Sequence, residues 1–473
     1  MQDPKAPASL PVESGTHSKH SSSAISTPSQ PMPDTTGTAA QKYAASLRLG
    51  LALSGGGSRA AAFHLGTLQG LRDVALLDDL DVISSVSGGS VFAGAWLAAR
   101  SKGFDLDRFL SKMAQELEKG FVARSISMHA FKLLLPTYTR SNLLSETFDR
   151  TLMHGMCLSE LPERPLLCIN TSVMNTGQVG KFSRYGFSST GMHAPGGTQG
   201  SSNPVIPLQD FPVALAATAS AAFPVGLPPV YLSRGKHIPL GWGGAELAGH
   251  KRFALTDGGV LENLGVQALL KSKRFSAWNL IISDAGRKEH PWNPGGPGNL
   301  LRGAVMGILS FPIIQRVAVM MNSKENRHMR LSAFGELERS WLVEELRGSH
   351  SPGLGDYLAG QSALPRRRML FIRLSQTLRE LLASIPRWRL HELVARSGQT
   401  LPSPLPPVSD LLQTAGINLD HAMEIHAAMG GDMRIEELNR IGTHFTALSQ
   451  KDIEDLTAHA RWQVHAMNAL FND

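Results

Sequence analysis

Cysteine, aromatic residues and runs of charge are all scarce in this sequence. Its 473 residues include two cysteines, Cys157 and Cys168, and 6% aromatic residues. Two cysteines cannot form a disulfide framework or a zinc site by themselves, so we expect a reduced, cytosol-type chain. The formal net charge is +7, but no basic run exceeds Arg366–Arg368, which we expect to be solvated rather than bound to lipid headgroups. This pattern argues against a nucleic-acid partner.

A hydrophobic run long enough to cross a bilayer is also missing. The best candidate, Gly303–Gln315, contains Pro312 and is shorter than the roughly 20 residues that a span requires. We interpret Leu300–Met321 as a buried, kinked helix; the alternative is an apolar rim that contacts lipid. No apolar segment of signal-peptide length precedes Tyr43. We therefore expect a cytoplasmic or peripheral membrane protein, with export by a route other than Sec left open.

The first 46 residues differ in composition from the rest of the chain. They are rich in Ser, Thr, Pro and Ala, and such a segment cannot bury enough apolar surface to offset the entropy of ordering. The whole chain, by contrast, is 42% hydrophobic and 18% charged, as folded proteins are. We predict a disordered tail over residues 1–46 and one folded domain, with a C-terminal helical extension, over residues 47–473.

Short apolar segments alternate with glycine turns and helical segments from Leu47 onward. Leu47–Leu53 precedes a glycine turn and a helix over Ala60–Leu71, and Asp81–Val86 precedes a second glycine turn and another helix. This order is typical of a parallel sheet covered by helices. We therefore predict a three-layer α/β sandwich with a mainly parallel central sheet. Further predicted elements are strands at Pro165–Val173, Asn279–Asp284 and Met369–Leu374, and helices at Asn142–Met153, Phe211–Ala222 and Gln450–Phe471.

Ser87 lies where the second predicted strand turns into a helix. A serine in such a turn fits a nucleophile elbow, whose strained backbone lifts the hydroxyl clear of the sheet and requires small neighbours. Gly88 and Gly89 follow Ser87, while Ser85 stands where the elbow usually has glycine. Taken alone, this stretch fits an active site and an ordinary tight turn equally well.

Three glycines, Gly55–Gly57, follow the first predicted strand. Their N–H groups would lie at a helix N-terminus, where they could bind a phosphate or the oxyanion of an acyl-transfer intermediate. Arg59 and Ala60 do not supply the Lys and Ser/Thr of a P-loop, and Ala60 also replaces the third glycine of a dinucleotide-binding loop.

Asp257 follows a strand-like stretch, Arg252–Leu255, and precedes Gly258 and Gly259. A carboxylate at such a position can accept the proton of a serine hydroxyl within hydrogen-bond distance. An Asp-Gly turn with a solvated side chain would have the same local sequence.

Taken together and in this order, the three motifs resemble those of the patatin-like phospholipases and of the related cytosolic phospholipases of animals. The matching segments are SGGGSRAAAFHLGTLQGL at Ser54–Leu71, SSVSGGS at Ser84–Ser90 and DGGVLENLG at Asp257–Gly265, with weaker agreement over Arg164–Gly177 and Ala217–Val230. The resemblance covers most of residues 47–290. Within it, Ser220–Pro224 resembles a segment that lines the family's site; small-residue helix packing is the alternative.

The resemblance implies a patatin-like catalytic domain with a Ser–Asp dyad. Ser87 would be the nucleophile and Asp257 its base. The N–H groups of Gly56 and Gly57 would form the oxyanion hole, and the guanidinium of Arg59 would lie near the lipid phosphate. The residues that would support these motifs are Gly55, Ser85, Gly88, Gly89, Gly258 and Gly259.

Histidine offers a competing mechanism. His290 follows Ser87 and Asp257 in the chain order of the α/β-hydrolase triad. The glycine loop immediately before the serine turn favours the dyad instead, and we expect His290 to be exposed in a loop. We expect His64, one turn into the helix after the glycines, to be a packed helix residue.

The resemblance finally implies a serine acyl hydrolase that releases fatty acids from phospholipids or related lipid esters. It implies no metal and no other cofactor. The expected partners are a membrane phospholipid or other acyl ester, with peripheral membrane contact, and an unidentified protein activator is left open. The alternatives are a soluble esterase or acyltransferase on the same dyad, or a lipid-binding protein without turnover.

Overall fold

The structure, a computed structural model, describes residues 48–288 and 369–471. Short gaps within these ranges are residues 136–137, 191, 193–203, 209, 225, 244–246, 248, 271–274, 276–278, 386, 397 and 399–406. Four sequence features lie outside the described residues: the tail of residues 1–46, His290, Leu300–Met321 and Arg366–Arg368.

The described strands form one nine-stranded mixed sheet. They are β1 (Leu49–Leu53), β2 (Leu80–Val86), β3 (Leu166–Val173), β4 (Gln178–Ser183), β5 (Gly186–Ser189), β6 (Val230–Ser233), β7 (Arg252–Asp257), β8 (Asn279–Asp284) and β9 (Met369–Arg373). The main order is β5-β4-β3-β2-β1-β8-β9, and β7 pairs with both β3 and β6. From β3 to β9 along this order all neighbours are parallel. The pairs that involve β4 to β7 are antiparallel.

Thirteen helices accompany the sheet in the described residues. They are α1 (Gly57–Asp73), α2 (Gly88–Ser101), α3 (Leu106–Lys119), α4 (Val122–His129), α5 (Arg140–Phe148), α6 (Val213–Ala221), α7 (Gln267–Leu270), α8 (Leu378–Ala383), α9 (Arg387–Arg396), α10 (Val408–Thr414), α11 (Asp420–Ala428), α12 (Gly431–Leu438) and α13 (Gln450–Phe471). A 3₁₀ helix, Ala130–Leu134, follows α4.

Alternating side chains of the central strands enter two separate hydrophobic cores, one on each face of the sheet. Leu51 and Ile83 belong to the larger core, whereas Ala52 and Val82 belong to the smaller one. Because both faces are covered, these strands are buried along most of their length. This is the predicted α/β sandwich with mostly parallel central strands flanked by helices, and the described residues belong to one compact unit.

Three predicted helices differ from the observed ones, and the first, predicted over Ala60–Leu71, extends over Gly57–Asp73. The helix predicted from Phe211 begins at Val213, because Pro212 has an extended backbone (φ −62°, ψ 132°) and caps the first turn. The helix predicted over Asn142–Met153 is interrupted, since α5 ends at Phe148 and a π-helical turn continues to Met153. The predicted C-terminal helix matches α13 residue for residue.

Helix α13 packs directly on α1, the helix that follows the glycine loop. At Gly66 an added Cβ would lie 1.8 Å from the carbonyl oxygen of Thr457, and at Gly70 it would lie 2.7 Å from the Cβ of Val464. Glycines one turn apart therefore let the two helix backbones approach closely. The C-terminal end of the chain is thereby attached to the element that carries Gly56 and Gly57.

Candidate active site

Ser87 occupies a strained turn between β2 and α2. Its backbone has φ 50° and ψ −119°, a conformation that residues other than glycine rarely adopt. At Gly88 an added Cβ would lie 2.4 Å from the carbonyl oxygen and 2.7 Å from the nitrogen of Gly57. The serine turn is therefore in direct backbone contact with the glycine loop, and no larger residue fits at position 88.

Strand pairing brings Asp257 beside Ser87. The last residue of β2, Val86, pairs with Asn170 of β3, and the next residue of β3, Thr171, pairs with Asp257 at the end of β7. Since β4 occupies the other edge of β3 over the same residues, β7 continues the edge on which β2 ends. The end of β2 and the end of β7 thus meet at consecutive positions along β3.

The two side chains are hydrogen bonded directly. The hydroxyl of Ser87 donates to Oδ2 of Asp257 at 2.8 Å, and the N–H of Gly259 donates to Oδ1 at 2.7 Å. The backbone of Asp257 is held as well, since its N–H donates to the carbonyl of Ala222 and its carbonyl accepts from the hydroxyl of Ser172. With a direct bond between the two side chains, no imidazole lies between them.

Burial makes Asp257 a weaker acid than usual. The side chain is 4% exposed, and removal from water raises its pKa from 3.8 to about 7, although the hydrogen bonds from Ser87 and Gly259 act in the opposite direction. A carboxylate with a pKa near neutrality can accept a proton and return it at physiological pH.

Ser220, at the end of α6, fixes the backbone of the serine turn. Its hydroxyl accepts the N–H of Ser87 at 2.9 Å and donates to the carbonyl of Asn170 at 2.6 Å. The hydroxyl of Ser90 also lies 2.9 Å from the hydroxyl of Ser220. The sequence pattern singled out Ser220–Pro224 without indicating this contact, which depends on a residue 133 positions from Ser87.

Ser85 is accommodated in place of the usual glycine. Its buried hydroxyl donates to the carbonyl of Cys168 at 3.3 Å and accepts from the hydroxyl of Ser90 at 3.0 Å. A buried hydroxyl with both a donor and an acceptor carries little desolvation cost.

Two N–H groups of the glycine loop remain available. The N–H of Gly55 donates to a carbonyl of the loop after β7, and the N–H of Ser58 donates to the carbonyl of His444. Among the described residues, the N–H groups of Gly56 and Gly57 have no hydrogen-bond partner. Both lie at the N-terminus of α1, where the helix dipole adds positive potential.

Arg59 lies in the first turn of α1 and is 2% exposed. One of its guanidinium nitrogens, Nη1, donates to the carbonyl of Ile441 at 2.8 Å. Its pKa is lowered to about 9, first by burial and then by the nearby charge of Arg287, while Asp284 acts to raise it. Its Nε has no hydrogen-bond partner among the described residues.

His64 is a core residue rather than a neighbour of Ser87. Its Nδ1 lies 2.9 Å from the hydroxyl of Ser283, and its Nε2 lies 2.9 Å from the carbonyl of Ser54. Burial lowers its pKa to about 4, so the ring is neutral at pH 7. The predicted packed role of His64 is confirmed.

The segment between α12 and α13 contacts the glycine loop, which the sequence did not indicate. At Gly57, where φ is 60°, an added Cβ would lie 2.4 Å from the carbonyl oxygen of Thr443. The hydroxyl of Ser58 donates to the carbonyl of Thr446 at 2.8 Å. The partners are almost 400 residues apart in the chain, and a carbonyl contact leaves no side-chain pattern in the sequence.

Among the helices of the described residues, none combines the length and apolar character that a bilayer crossing requires.

The turn that holds Ser87, the buried carboxylate of Asp257 and the glycine loop thus lie side by side at one edge of an α/β sheet. Residues 51–270 match the family model described as patatin-like phospholipase. We therefore identify residues 51–270 as a patatin-like phospholipase domain, which confirms the family resemblance.

Solved structures give weaker similarities. Human GIVD cytosolic phospholipase A2, in complex with methyl gamma-linolenyl fluorophosphonate, is 15% identical, with a TM-score of 0.42, over 90% of this chain and 58% of that chain. VipD from Legionella pneumophila is 13% identical, with a TM-score of 0.28, over 78% and 66% of the two chains. A chain of the SpcU–ExoU complex from Pseudomonas aeruginosa is 12% identical, with a TM-score of 0.26, over 84% and 85%.

The chain thus spans less than two thirds of the human phospholipase that it matches. The comparison with curated proteins gave no match to this sequence.

Proposed function

We propose that this protein is a serine acyl hydrolase that releases fatty acids from phospholipids or related lipid esters through a Ser87–Asp257 dyad. The observation that carries the proposal is the 2.8 Å hydrogen bond from the Ser87 hydroxyl to the Asp257 carboxylate, in a turn with a strained serine backbone. We assign the activity to the domain of residues 47–473.

In the first half-reaction Asp257 accepts the hydroxyl proton of Ser87. The serine oxygen attacks the ester carbonyl carbon and forms a tetrahedral intermediate. As the ester C–O bond breaks, the protonated Asp257 returns its proton to the leaving alcohol, and the acyl group stays on Ser87. A pKa of about 7 suits both transfers, because the same carboxyl must act as base and then as acid.

In the second half-reaction Asp257 accepts a proton from water. The hydroxide attacks the acyl-serine carbonyl, and the second tetrahedral intermediate collapses to free fatty acid. The departing Ser87 oxygen takes the proton from Asp257, which regenerates the starting dyad. Neither half-reaction needs a histidine.

The N–H groups of Gly56 and Gly57 are our candidates for the oxyanion hole. Their lack of a partner among the described residues supports this role, as does their position at the start of α1. Loss of one such donor typically raises the reaction barrier by about 3 kcal/mol.

Arg59 is our candidate for the group that binds the substrate phosphate. Burial lowers its pKa to about 9, which means that its charge is incompletely compensated and that an anion beside it would be stabilising. Arg59→Ala should then reduce cleavage of a phospholipid more than cleavage of a neutral ester. An equal loss of activity on both substrates would mean that Arg59 does not bind the phosphate and acts only through its hydrogen bond to Ile441.

The test of the dyad is labelling of the purified full chain with a fluorophosphonate probe, together with fatty acid release from mixed phospholipid vesicles. We compare the wild-type protein with Ser87→Ala and Asp257→Asn. We expect the wild type to be labelled and to release fatty acid, and both variants to lose release by at least a thousandfold with unchanged far-UV circular dichroism.

Labelling without fatty acid release would indicate a soluble esterase or acyltransferase, or a missing activator. A folded wild-type protein that is not labelled would indicate a lipid-binding protein without turnover. Full activity of Asp257→Asn would exclude Asp257 as the base.

A further inference from the structure

Six large apolar side chains are exposed together between α3 and α5. They are Val122, Ile126, Phe131, Leu133, Leu134 and Leu135, and we call them the apolar patch. Phe131 is 69% exposed and Leu134 is 86% exposed. Large apolar residues crowded into 14 consecutive positions differ from the scattered single residues that are normal on protein surfaces.

Helix α4, which begins the patch, exposes apolar side chains to solvent. Phe121 and Ser125, one turn apart, are buried, and the Ser125 hydroxyl donates to the hydroxyl of Thr147 on α5 at 2.8 Å. Val122 and Ile126, also one turn apart, face solvent. The exposed Val122 and Ile126 add apolar surface that the described fold does not bury, which indicates an apolar partner.

The charged residues around the apolar patch indicate which kind of partner it binds. Residues 119–140 contain four basic residues and no acidic one: Lys119, Arg124, Lys132 and Arg140. Acidic residues just outside this range reduce the balance, since Glu116 pairs with Lys119 and Arg124 and Glu146 pairs with Lys132. With Glu118 counted as well, residues 116–146 keep a net charge of +1. Apolar side chains bordered by basic ones are typical of segments that lie in the interface of an anionic bilayer.

The geometry of the 3₁₀ helix favours a fluid partner over a flat protein surface. Successive side chains of a 3₁₀ helix point about 120° apart. Leu133 and Leu134 are consecutive in this helix, and both are exposed. A flat surface could cover one of these directions, whereas acyl chains can surround an inserted turn on all sides.

The patch is connected to the candidate active site by short contacts. The N–H groups of Phe121 and Val122 both donate to the carbonyl of Phe445. The carbonyl of the preceding residue, His444, accepts from Ser58 beside the glycine loop. At the other end, Ser141 at the start of α5 donates to the carbonyl of Pro228, which follows α6 in the chain.

We propose that the apolar patch is the surface through which this protein binds membranes containing anionic phospholipid. The inference rests on the proposed lipid substrate, and it names the surface that brings the enzyme to that substrate. Phe131, Leu133 and Leu134 insert among the acyl chains, and the neighbouring basic residues face the headgroups.

The test measures vesicle co-flotation of the full chain in a Ser87→Ala background, so that binding is independent of turnover. The vesicles are phosphatidylcholine alone or phosphatidylcholine with phosphatidylserine. The test variant is Phe131→Ser with Leu134→Ser. The matched control is Leu240→Ser with Met433→Ser, which changes two apolar residues of similar exposure, 75% and 82%, elsewhere on the surface.

We expect the parent protein to bind phosphatidylserine vesicles at least tenfold more tightly than phosphatidylcholine vesicles. The test variant should bind at least tenfold more weakly than the parent, and the control should bind as the parent does. With Ser87 intact, the test variant should cleave a soluble short-chain ester at the wild-type rate. Equal flotation of test variant and parent would overturn the proposal, as would a parent that does not bind.

A second measurement tests the proposal even if the double-serine variant fails to fold. Leu134→Cys, labelled with an environment-sensitive fluorophore, should brighten when phosphatidylserine vesicles are added, and an unchanged signal would overturn the proposal. A dimer that only the test variant disrupts, without any vesicle binding, would assign the patch to self-association instead. If the parent binds vesicles but the wild-type protein does not react with the fluorophosphonate probe, the membrane-binding surface would be supported and the proposed hydrolase activity would be excluded.

Discussion

The backbone N–H of Ser87 donates to the hydroxyl of Ser220, at 2.9 Å. Ser220 thereby holds the backbone of the strained turn, and its own hydroxyl donates to the carbonyl of Asn170. A residue far away in the chain thus holds the proposed nucleophile in place without touching the reacting atoms.

Ser220→Ala should therefore lower kcat without a comparable change in KM. The substitution leaves the buried N–H of Ser87 without an acceptor, at a cost of about 1–3 kcal/mol, so we expect kcat to fall roughly tenfold to a hundredfold. The control is Thr218→Ala in the same helix, because the Thr218 hydroxyl donates only to the carbonyl of Ala214 one turn earlier. Equal kcat values for the two variants would show that Ser220 does not position Ser87.

Gly57→Ala should remove activity and destabilise the fold. Its φ is 60°, and the new Cβ would lie 2.4 Å from the carbonyl oxygen of Thr443. The matched control is Gly103→Ala, where φ is 76° but nothing lies within 4 Å, so only the backbone strain of about 1 kcal/mol remains.

The two glycine variants are compared by their Tm in thermal unfolding and by their kcat for ester hydrolysis. Gly103→Ala should keep its kcat and lose a few degrees of Tm, while Gly57→Ala should lose at least a hundredfold in kcat. Similar losses of activity in both variants would contradict the close contact with the C-terminal segment.

The activity should depend on the ionisation of Asp257. Only the deprotonated carboxylate accepts the serine proton, and burial raises its pKa to about 7. We expect kcat/KM for a soluble ester to rise with pH, to reach half of its maximum near pH 7 and to level off above pH 8. The buried histidines His64 and His459, whose pKa values are lowered to about 4 by burial, do not titrate in this range. A midpoint near pH 4 would mean that the carboxylate is not desolvated in solution.

The same pKa shift predicts how Asp257→Asn changes stability with pH. Between pH 3.8 and about 7 folded Asp257 keeps its proton while unfolded Asp257 has lost it, so rising pH lowers the free energy of unfolding of the wild type. Asparagine does not titrate. The Tm of Asp257→Asn relative to the wild type should therefore increase from pH 4.5 to pH 8, as measured by differential scanning fluorimetry. A difference that stays constant over this range would contradict the raised pKa.

Much of the fold could be predicted from the sequence because its signals are local. Asn279–Asp284 and Gln450–Phe471 are predicted to the residue, since apolar runs and helical periodicity depend on near neighbours. The glycine loop and the serine turn are equally local, because each combines a strand end, small residues and a helix start within a few positions. These patterns sufficed for the family resemblance, which the match over residues 51–270 confirms.

The sequence by itself determined which residues are chemically suited to a serine hydrolase, namely Ser87, Asp257 and the glycine loop. Only the tertiary structure decided that they meet. The pairing of β7 with the end of β3 places Asp257 next to Ser87, and burial at that point raises the pKa of the carboxyl. The contacts of Ser220 and of the segment before α13 also depend on packing between distant parts of the chain. Many residue types can donate a hydrogen bond to a backbone carbonyl, so such contacts cannot be predicted from a sequence pattern.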